Sequence, residues 1–112
     1  MPRVDAWTAL GDPTRRGILA RITHEPSSVT ALAEQLPVSR PAVSQHLQVL
    51  LDAALVEVHP QGRHRIYAAR PDGLDALRRE LDGFWTQALA NFRHLTQTAV
   101  DTAAPPPRKE RS

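Results

Sequence analysis

The stretch from Ser39 to Leu51 constrains the fold more than any other part of the chain, because it is patterned as a two-faced helix. Ser39 can cap free backbone N–H groups with its hydroxyl, and Pro41 then falls in the first turn, where a missing N–H costs no helical hydrogen bond. Apolar side chains recur at spacings of four, three and four, and form one stripe: Val43, Leu47, Leu50 and Ala54. This periodicity predicts a helix over 39–51 with one buried face.

The opposite face of this helix carries hydrogen-bonding side chains instead of the Lys and Glu of an ordinary solvated helix. Its members are Arg40, Ser44, Gln45 and Gln48. Arg40 is the only formal charge on the helix. In a DNA major groove Arg pairs with guanine, Gln pairs with adenine, and a small side chain such as Ala42 contacts a thymine methyl. We therefore predict that 39–51 is a recognition helix that reads base edges.

The composition indicates one soluble domain and excludes several kinds of site. A chain of 112 residues, 41% hydrophobic and 23% charged, can bury one modest core. It contains no cysteine, which excludes disulfides, thiolate metal sites and a cysteine nucleophile. No apolar run is long enough to span a membrane and the first residues lack a secretion signal, so we expect a cytoplasmic protein. The net charge is only +2, but the basic residues gather around the predicted recognition helix, which favours phosphate contact.

The residues before the recognition helix predict the rest of a helix-turn-helix. Asp12-Pro13 is a helix start, a capping carboxylate followed by proline at the first helical position. The residues predicted to face inward from this helix are Ile18, Leu19 and Ile22. Thr30 is expected to cap a second, two-turn helix that breaks at Leu36-Pro37-Val38, since the residue before proline avoids helical geometry. Two short helices joined in this way are typical of a helix-turn-helix. For Arg15 and Arg16 we prefer surface salt bridges to phosphate contacts.

A β-hairpin is predicted directly after the recognition helix. Residues 55–59 alternate in polarity, Pro60-Gln61-Gly62 has the composition of a turn, and 63–68 resume the strand pattern. Arg63, His64 and Arg65 lie at or just after the turn. Charge at this place can simply protect an edge strand from pairing. Beside a recognition helix, however, we interpret 56–68 as a wing that reaches phosphates or the adjacent minor groove.

From Asp72 onward, apolar residues keep a helical spacing that predicts a long helix over about 72–99. Its first turns are expected to pack on the core of the domain, and the rest to pair with a second subunit. The alternative is a helix folded back on its own core along its whole length. The predicted dimer interface comprises Trp7, Leu10, Leu81, Phe84, Trp85, Ala88, Leu89, Phe92 and Leu95. We assign residues 1–100 to the DNA-binding domain, including this helix, and 101–112 to a disordered tail.

Four blocks of sequence stand in order along the chain. They are Asp12-Pro13-Thr14-Arg15-Arg16-Gly17-Ile18-Leu19, Leu32-Ala33-Glu34-Gln35-Leu36, Ser39-Arg40-Pro41-Ala42-Val43-Ser44-Gln45-His46-Leu47-Gln48-Val49-Leu50, and Leu55-Val56 with the Gly-Arg hairpin after it. Together, over about residues 4 to 95, they resemble the ArsR/SmtB family of bacterial winged-helix repressors. The resemblance implies a mostly α winged helix-turn-helix with a small β-hairpin, dimeric through its first and last helices. It also implies operator binding near a promoter and repression relieved by a signal.

The sequence departs from the metal-sensing members of that family. Their thiolate pair before the recognition helix has no counterpart here, and the last helix offers Asp82, His94 and Asp101 without the paired ligand spacing of the other family site. Zinc requires three or four well-placed N or S donors. We therefore predict no metal and no cofactor. A metal-responsive repressor that uses His and Asp ligands is kept as an alternative.

These features predict a sequence-specific regulator of transcription that binds double-stranded DNA. We expect a homodimer that binds a pseudo-palindromic operator and represses transcription, also from its own promoter. The predicted DNA-binding residues are Ser39, Arg40, Pro41, Ala42, Ser44, Gln45, His46, Gln48, Arg63, His64 and Arg65. No constellation typical of an enzyme is visible, so we do not expect catalysis. The alternative is a winged-helix protein-interaction module without specific DNA binding. Repression or activation, and control with or without a small-molecule inducer, are all compatible with the sequence.

Overall fold

The computed structural model describes residues 4–102, which form five helices and a two-stranded antiparallel sheet. The elements in chain order are α1 (Ala6–Ala9), α2 (Pro13–His24), α3 (Val29–Gln35), α4 (Arg40–Asp52), β1 (Val56–Gln61), β2 (His64–Ala69) and α5 (Pro71–Thr102). The chain divides into two compact units, one up to Leu77 and one from Arg78. Within the described part, no helix is long and apolar enough to cross a membrane.

The first unit is held together by one apolar core to which α1 to α4 and both strands contribute. Its buried residues are Ala9, Ile18, Leu19, Ile22, Leu32, Val43, Leu47, Leu50, Leu55, Val56 and Tyr67. The inward positions that periodicity predicted on α2 and α4 are therefore confirmed. Burial of a Leu or Ile side chain contributes about 1.5–3 kcal/mol. Helices of two to four turns are marginal in isolation, so this shared core, and not their propensity, stabilises them.

Side-chain caps fix where the helices begin. Asp12 accepts hydrogen bonds from the backbone N–H groups of Thr14 and Arg15 at 2.8 and 3.2 Å, with Pro13 in the first turn, as the sequence predicted. The cap of α3 was wrongly predicted at Thr30. The cap is Ser28, whose Oγ accepts from the N–H of Ala31 at 3.1 Å. Both residue types can cap, and Ser28 takes the position because the chain before it is extended and paired with the sheet.

The end of α4 departs from the predicted apolar stripe at Ala54. The helix stops at Asp52, and Ala54 has a φ of 62°, in the left-handed region. This turn redirects the chain from α4 into β1. The carbonyl oxygen of Ala54 lies against the start of α5, and a Cβ added to Gly73 would lie only 1.8 Å from this oxygen. Residue 73 therefore has no room for a side chain.

The hairpin has a two-residue loop at Gly62 and Arg63, because Gln61 pairs with His64 across the strands. Gly62 has a φ of 62°, which glycine adopts without strain. Pro60 and Gln61 were predicted in the turn, and both lie in β1 instead. The base of the hairpin is fixed by Ser27, which exchanges two backbone hydrogen bonds with Tyr67 at 2.8 and 3.0 Å.

Helix α5 begins beside an ion pair in which Arg70 and Asp72 form two hydrogen bonds of 2.8 and 3.2 Å. The hydrogen bonds from Arg70 hold the pKa of the Asp72 carboxyl below its usual value. In the second unit α5 is a single helix, and the side chains described in it, residues 78–98, are all exposed. Asp101 and Thr102, predicted in the tail, are helical. The rest of the predicted tail, 103–112, lies outside the described residues.

Candidate nucleic-acid interface

Helix α4, the predicted recognition helix, and the hairpin share an open groove of about 240 Å³. Ser44 of α4 lines it together with Arg63, His64 and Arg65 of the hairpin. The groove also includes Ser28, Val29 and Thr30 at the start of α3, and Tyr67. Two arginines, one imidazole and three hydroxyl-bearing Ser or Thr side chains thus surround one concave surface. Such a surface suits anionic groups, since nearly all of its polar side chains can donate hydrogen bonds.

Arg40, Ser44 and Gln45, which the sequence predicts to read bases and which are called the reading face below, are all exposed along the first half of α4. Among the described residues, none of these side chains makes an intramolecular hydrogen bond or ion pair, so their donors and acceptors point to solvent. The opposite side of α4 is fixed in the core by Val43 and Leu47. A polar face without internal partners on a well-anchored helix has the form that base readout requires.

The helix N-terminus places three further predicted residues beside the reading face. Ser39 is the N-cap of α4 and accepts from the N–H of Ala42 at 3.3 Å, and its hydroxyl proton can still be donated. Pro41 is exposed in the first turn, and Ala42 is half-buried. Gln48 differs, because its Nε2 donates to the carboxylate of Asp52 at 3.0 Å. One of its two amide N–H groups is therefore occupied within α4, next to a negative charge.

His46 is half-buried and faces α2 as well as solvent. Its Nδ1 lies 3.4 Å from Nη1 of Arg15, a contact between residues 31 positions apart. Arg15 also lies 3.8 Å from Asp12 as an ion pair and donates its Nε to the carbonyl oxygen of Ala9 at 2.7 Å. Arg16 donates to the carbonyl oxygen of Leu10, also at 2.7 Å. The two arginines thus bind the C-terminal end of α1, which the sequence did not predict, while the salt bridge predicted for Arg15 is present with Asp12 as its partner.

The electrostatics of the Asp12 carboxyl follow from its cap. The backbone N–H of Arg15 lowers the pKa of Asp12 below its usual value, and the N–H of Thr14 and the charge of Arg15 act in the same direction. Partial desolvation opposes these effects. Asp12 is therefore held as a carboxylate that supports both the start of α2 and Arg15.

The remaining histidines do not form a cluster. His59 lies opposite Ile66 and is within 2.8 Å of the Glu57 carboxylate, and His64 lies opposite Gln61. Across the described residues, no three His, Asp or Glu side chains come together in a way that could hold a metal ion.

Sequence reasoning missed Ser28 and Thr30 as neighbours of the wing, and missed Arg15 as a neighbour of His46. A capping residue is visible in a sequence, but its neighbours across the fold depend on how α3 crosses α4. Pro37 was a usable signal for the turn between α3 and α4, because the residue before a proline avoids helical geometry. Leu36 is accordingly extended, with a φ of −121° and a ψ of 150°, and α3 ends there.

The fold and the groove define a winged helix-turn-helix protein that binds DNA. A helix-turn-helix domain model matches residues 10–59. The chain is 53% identical over 96 residues to the HTH-type transcriptional regulator Rv2034 of Mycobacterium tuberculosis, over 86% of this chain and 90% of that protein. It is 31% identical to the transcriptional repressor SdpR of Bacillus subtilis over 64 residues, and this match covers 57% of this chain and 71% of that protein. An ArsR-like transcriptional regulator from Rhodococcus sp. RHA1 has a solved structure with a TM-score of 0.73 at 33% identity, covering 83% of this chain and 88% of its own.

The chain belongs to the ArsR family of helix-turn-helix transcriptional regulators. Membership confirms the family resemblance of the four sequence blocks, and the relatives of this chain are named as transcriptional regulators, a class distinct from enzymes.

Proposed function

We propose that this protein is a homodimeric repressor, of its own promoter among others, that binds a pseudo-palindromic operator through α4 and the β1–β2 wing. The observation that carries the proposal is the shared groove, in which Ser44 of the reading face and the basic residues of the wing line one surface. A duplex that entered this groove would meet base-reading and phosphate-binding groups at the same time. Two such surfaces in a dimer would engage successive major grooves about 34–36 Å apart.

The roles of the side chains follow from their chemistry and exposure. The reading face contacts base edges, with Arg40 directed to guanine and Gln45 to adenine, while Pro41 and Ala42 add apolar contacts. The residues proposed to hold phosphates are Ser39, His46, Gln48, Arg63, His64 and Arg65. One of the two amide N–H groups of Gln48 is bonded to the Asp52 carboxylate, a negative charge that repels phosphate, which makes Gln48 the weakest member of this set.

The dimer is proposed from the apolar surface of α5. Trp85, Phe92 and Leu95 are 65–66% exposed on this helix, and Leu81 is 53% exposed. Exposed apolar patches of this kind mark interaction surfaces, because leaving them in water is unfavourable. Leu89 at 37% and, in the first unit, Trp7 on α1 at 38% are further exposed apolar residues that the sequence assigned to the dimer interface. Phe92→Glu should shift the protein from dimer to monomer in sedimentation, and an unchanged mass would contradict this part of the proposal.

The central experiment is selection of bound fragments from random double-stranded DNA by the wild-type protein and by Arg40→Ala/Gln45→Ala. An inverted-repeat motif is expected for the wild type, and the double variant should lose preference at the positions that it reads. Each lost bidentate reader should cost about 1–3 kcal/mol of discrimination. No motif for the wild type would refute sequence-specific binding and support the protein-interaction module instead.

The wing residues provide the matched comparison, since they should affect affinity without affecting sequence. A dimer that loses one phosphate-binding arginine per subunit should lose about 1.8 from the slope of log affinity against log salt. Arg63→Ala and Arg65→Ala are therefore expected to weaken all sequences alike. If Arg65→Ala changed the selected motif and left the salt slope intact, its assignment to the wing contacts would be wrong.

A further inference from the structure

Arg15 connects α1 to the recognition helix through one guanidinium group. Its side chain is only 18% exposed. Nε donates to the carbonyl oxygen of Ala9 at the end of α1, and Nη1 lies 3.4 Å from Nδ1 of His46 on α4. The Asp12 carboxylate, 3.8 Å away, keeps this charge balanced. The side chain is thus held from three directions.

The chemistry of this contact determines where His46 carries its proton. A guanidinium has only donors and does not lose its charge in proteins. A hydrogen bond between Arg15 and Nδ1 of His46 therefore requires Nδ1 to accept through its lone pair. A neutral imidazole that accepts at one nitrogen carries its proton at the other, here Nε2. Within the described part of the chain, Nε2 has no hydrogen-bond partner.

We propose that Arg15 is a positioning residue that fixes the Nε2–H tautomer of His46, so that α4 presents a ready hydrogen-bond donor to a DNA phosphate. The inference rests on the phosphate contact proposed for His46 and adds the reason why this imidazole can make it. In the other tautomer, Nε2 would present a lone pair to the phosphate oxygens, which accept hydrogen bonds and do not donate them.

Arg16 is a matched control for Arg15. It donates to the carbonyl oxygen of Leu10 at 2.7 Å, and so binds the end of α1 in the same manner. Within the described residues its hydrogen bond is to α1 alone. Arg15→Ala and Arg16→Ala should both loosen α1, whereas only Arg15→Ala should release the tautomer of His46.

The first test uses the full-length protein without DNA and reads the ¹⁵N shifts of the His46 ring at pH 8. We expect wild type and Arg16→Ala to show a protonated Nε2 and an unprotonated Nδ1, and Arg15→Ala to show a mixture of the two tautomers. A wild-type spectrum with the proton on Nδ1 would overturn the inference, even if Arg15→Ala proved too unstable to study. Since no DNA is present, the result is independent of whether the chain recognises an operator.

The second test measures operator affinity and its salt dependence. At pH 8, Arg15→Ala should bind at most about fourfold more weakly, because an even mixture of tautomers leaves the Nε2 donor in place about half of the time in each of two subunits. The salt slope should be unchanged, because a neutral imidazole releases no counterion. If Arg15 itself contacted phosphate, the slope would fall by about 1.8 for a dimer, and the inference would be wrong.

His46→Gln makes the test specific, since its amide has an N–H donor that needs no tautomer to be fixed. In this background Arg15→Ala should change affinity by less than about twofold, and a loss as large as that in the wild-type background would overturn the proposal. Failure of the wild type to select any motif would instead refute the proposed function and leave the tautomer result standing.

Discussion

Replacement of Ala54 by glycine should stabilise the protein. Ala54 is the only non-glycine residue with a positive φ among those that the structure describes. An L-residue in the left-handed region costs about 1–2 kcal/mol relative to the right-handed one, because its Cβ crowds the following carbonyl oxygen. Glycine avoids this cost but loses about 0.4–1 kcal/mol through the greater freedom of the unfolded chain. The net expectation is a gain of about 0.5–1 kcal/mol in the free energy of unfolding.

Ala53→Gly is the matched control, because Ala53 is also half-buried but has a φ of −85° and a ψ of 1°, where alanine is unstrained. It should lose about 0.4–1 kcal/mol without any compensating relief. The assay is urea denaturation followed by circular dichroism, at one protomer concentration, since dimerisation would make the midpoint concentration-dependent. The midpoints should rank Ala54→Gly above wild type and wild type above Ala53→Gly. A midpoint of Ala54→Gly at or below that of wild type, with equal m-values, would refute the reasoning.

Two further predictions concern the frame that holds the interface. Gly73→Ala should destabilise the protein by about 1–3 kcal/mol and lower its Tm, since the new Cβ would meet the backbone of the α4–β1 turn. Gly17→Ala is the control and should raise the Tm, because nothing lies within 4 Å of its new Cβ and alanine is the better helix former. Equal Tm values for the two variants would contradict the packing argument. Asp12 has a pKa lowered in the folded state by the backbone N–H of Arg15, so its contribution to stability is present above the pKa of the unfolded chain and is lost as the pH falls through the folded pKa. Asp12→Asn keeps a capping oxygen and should flatten the acid limb of a plot of Tm against pH, and an acid limb as steep as that of wild type would show that other carboxylates determine it.

Most of the fold could be predicted because local chemistry and periodicity agree. The cap at Ser39, the proline at 41 and the spacing of Val43, Leu47 and Leu50 predicted α4 to within one residue at each end. Ala54 could not be predicted, because alanine is the best helix former and gives no local sign of a left-handed turn. The structure places this residue there because α4 must end for β1 to enter the core through Leu55 and Val56.

The candidate site was predictable in its residues and not in its contacts. The hydrogen-bonding side chains on the exposed face of α4 could be predicted, because the face on which a residue lies depends only on the periodicity of its own helix. The pairing of Arg15 with His46 depends on how α2 crosses α4, which is a property of the packed core and not of either segment. The same applies to Thr30, which local pattern assigned to a cap and which the fold places beside the wing.

The two halves of the interface are held with different rigidity, and this difference matches the roles proposed for them. The reading face is attached to a helix whose buried residues, among them Val43 and Leu47, are 0% exposed, so the backbone that carries its side chains keeps a fixed position. The hairpin is anchored at its base by Tyr67 and Ser27, while the tip from Gly62 to Arg65 is exposed. Discrimination between bases needs fixed geometry, because a hydrogen bond weakens steeply when its angle changes. Attraction to phosphate tolerates displacement, because charge acts over about 8–10 Å at moderate salt. A rigid reader beside an adaptable basic tip therefore lets the wing follow the DNA backbone without disturbing the register of α4.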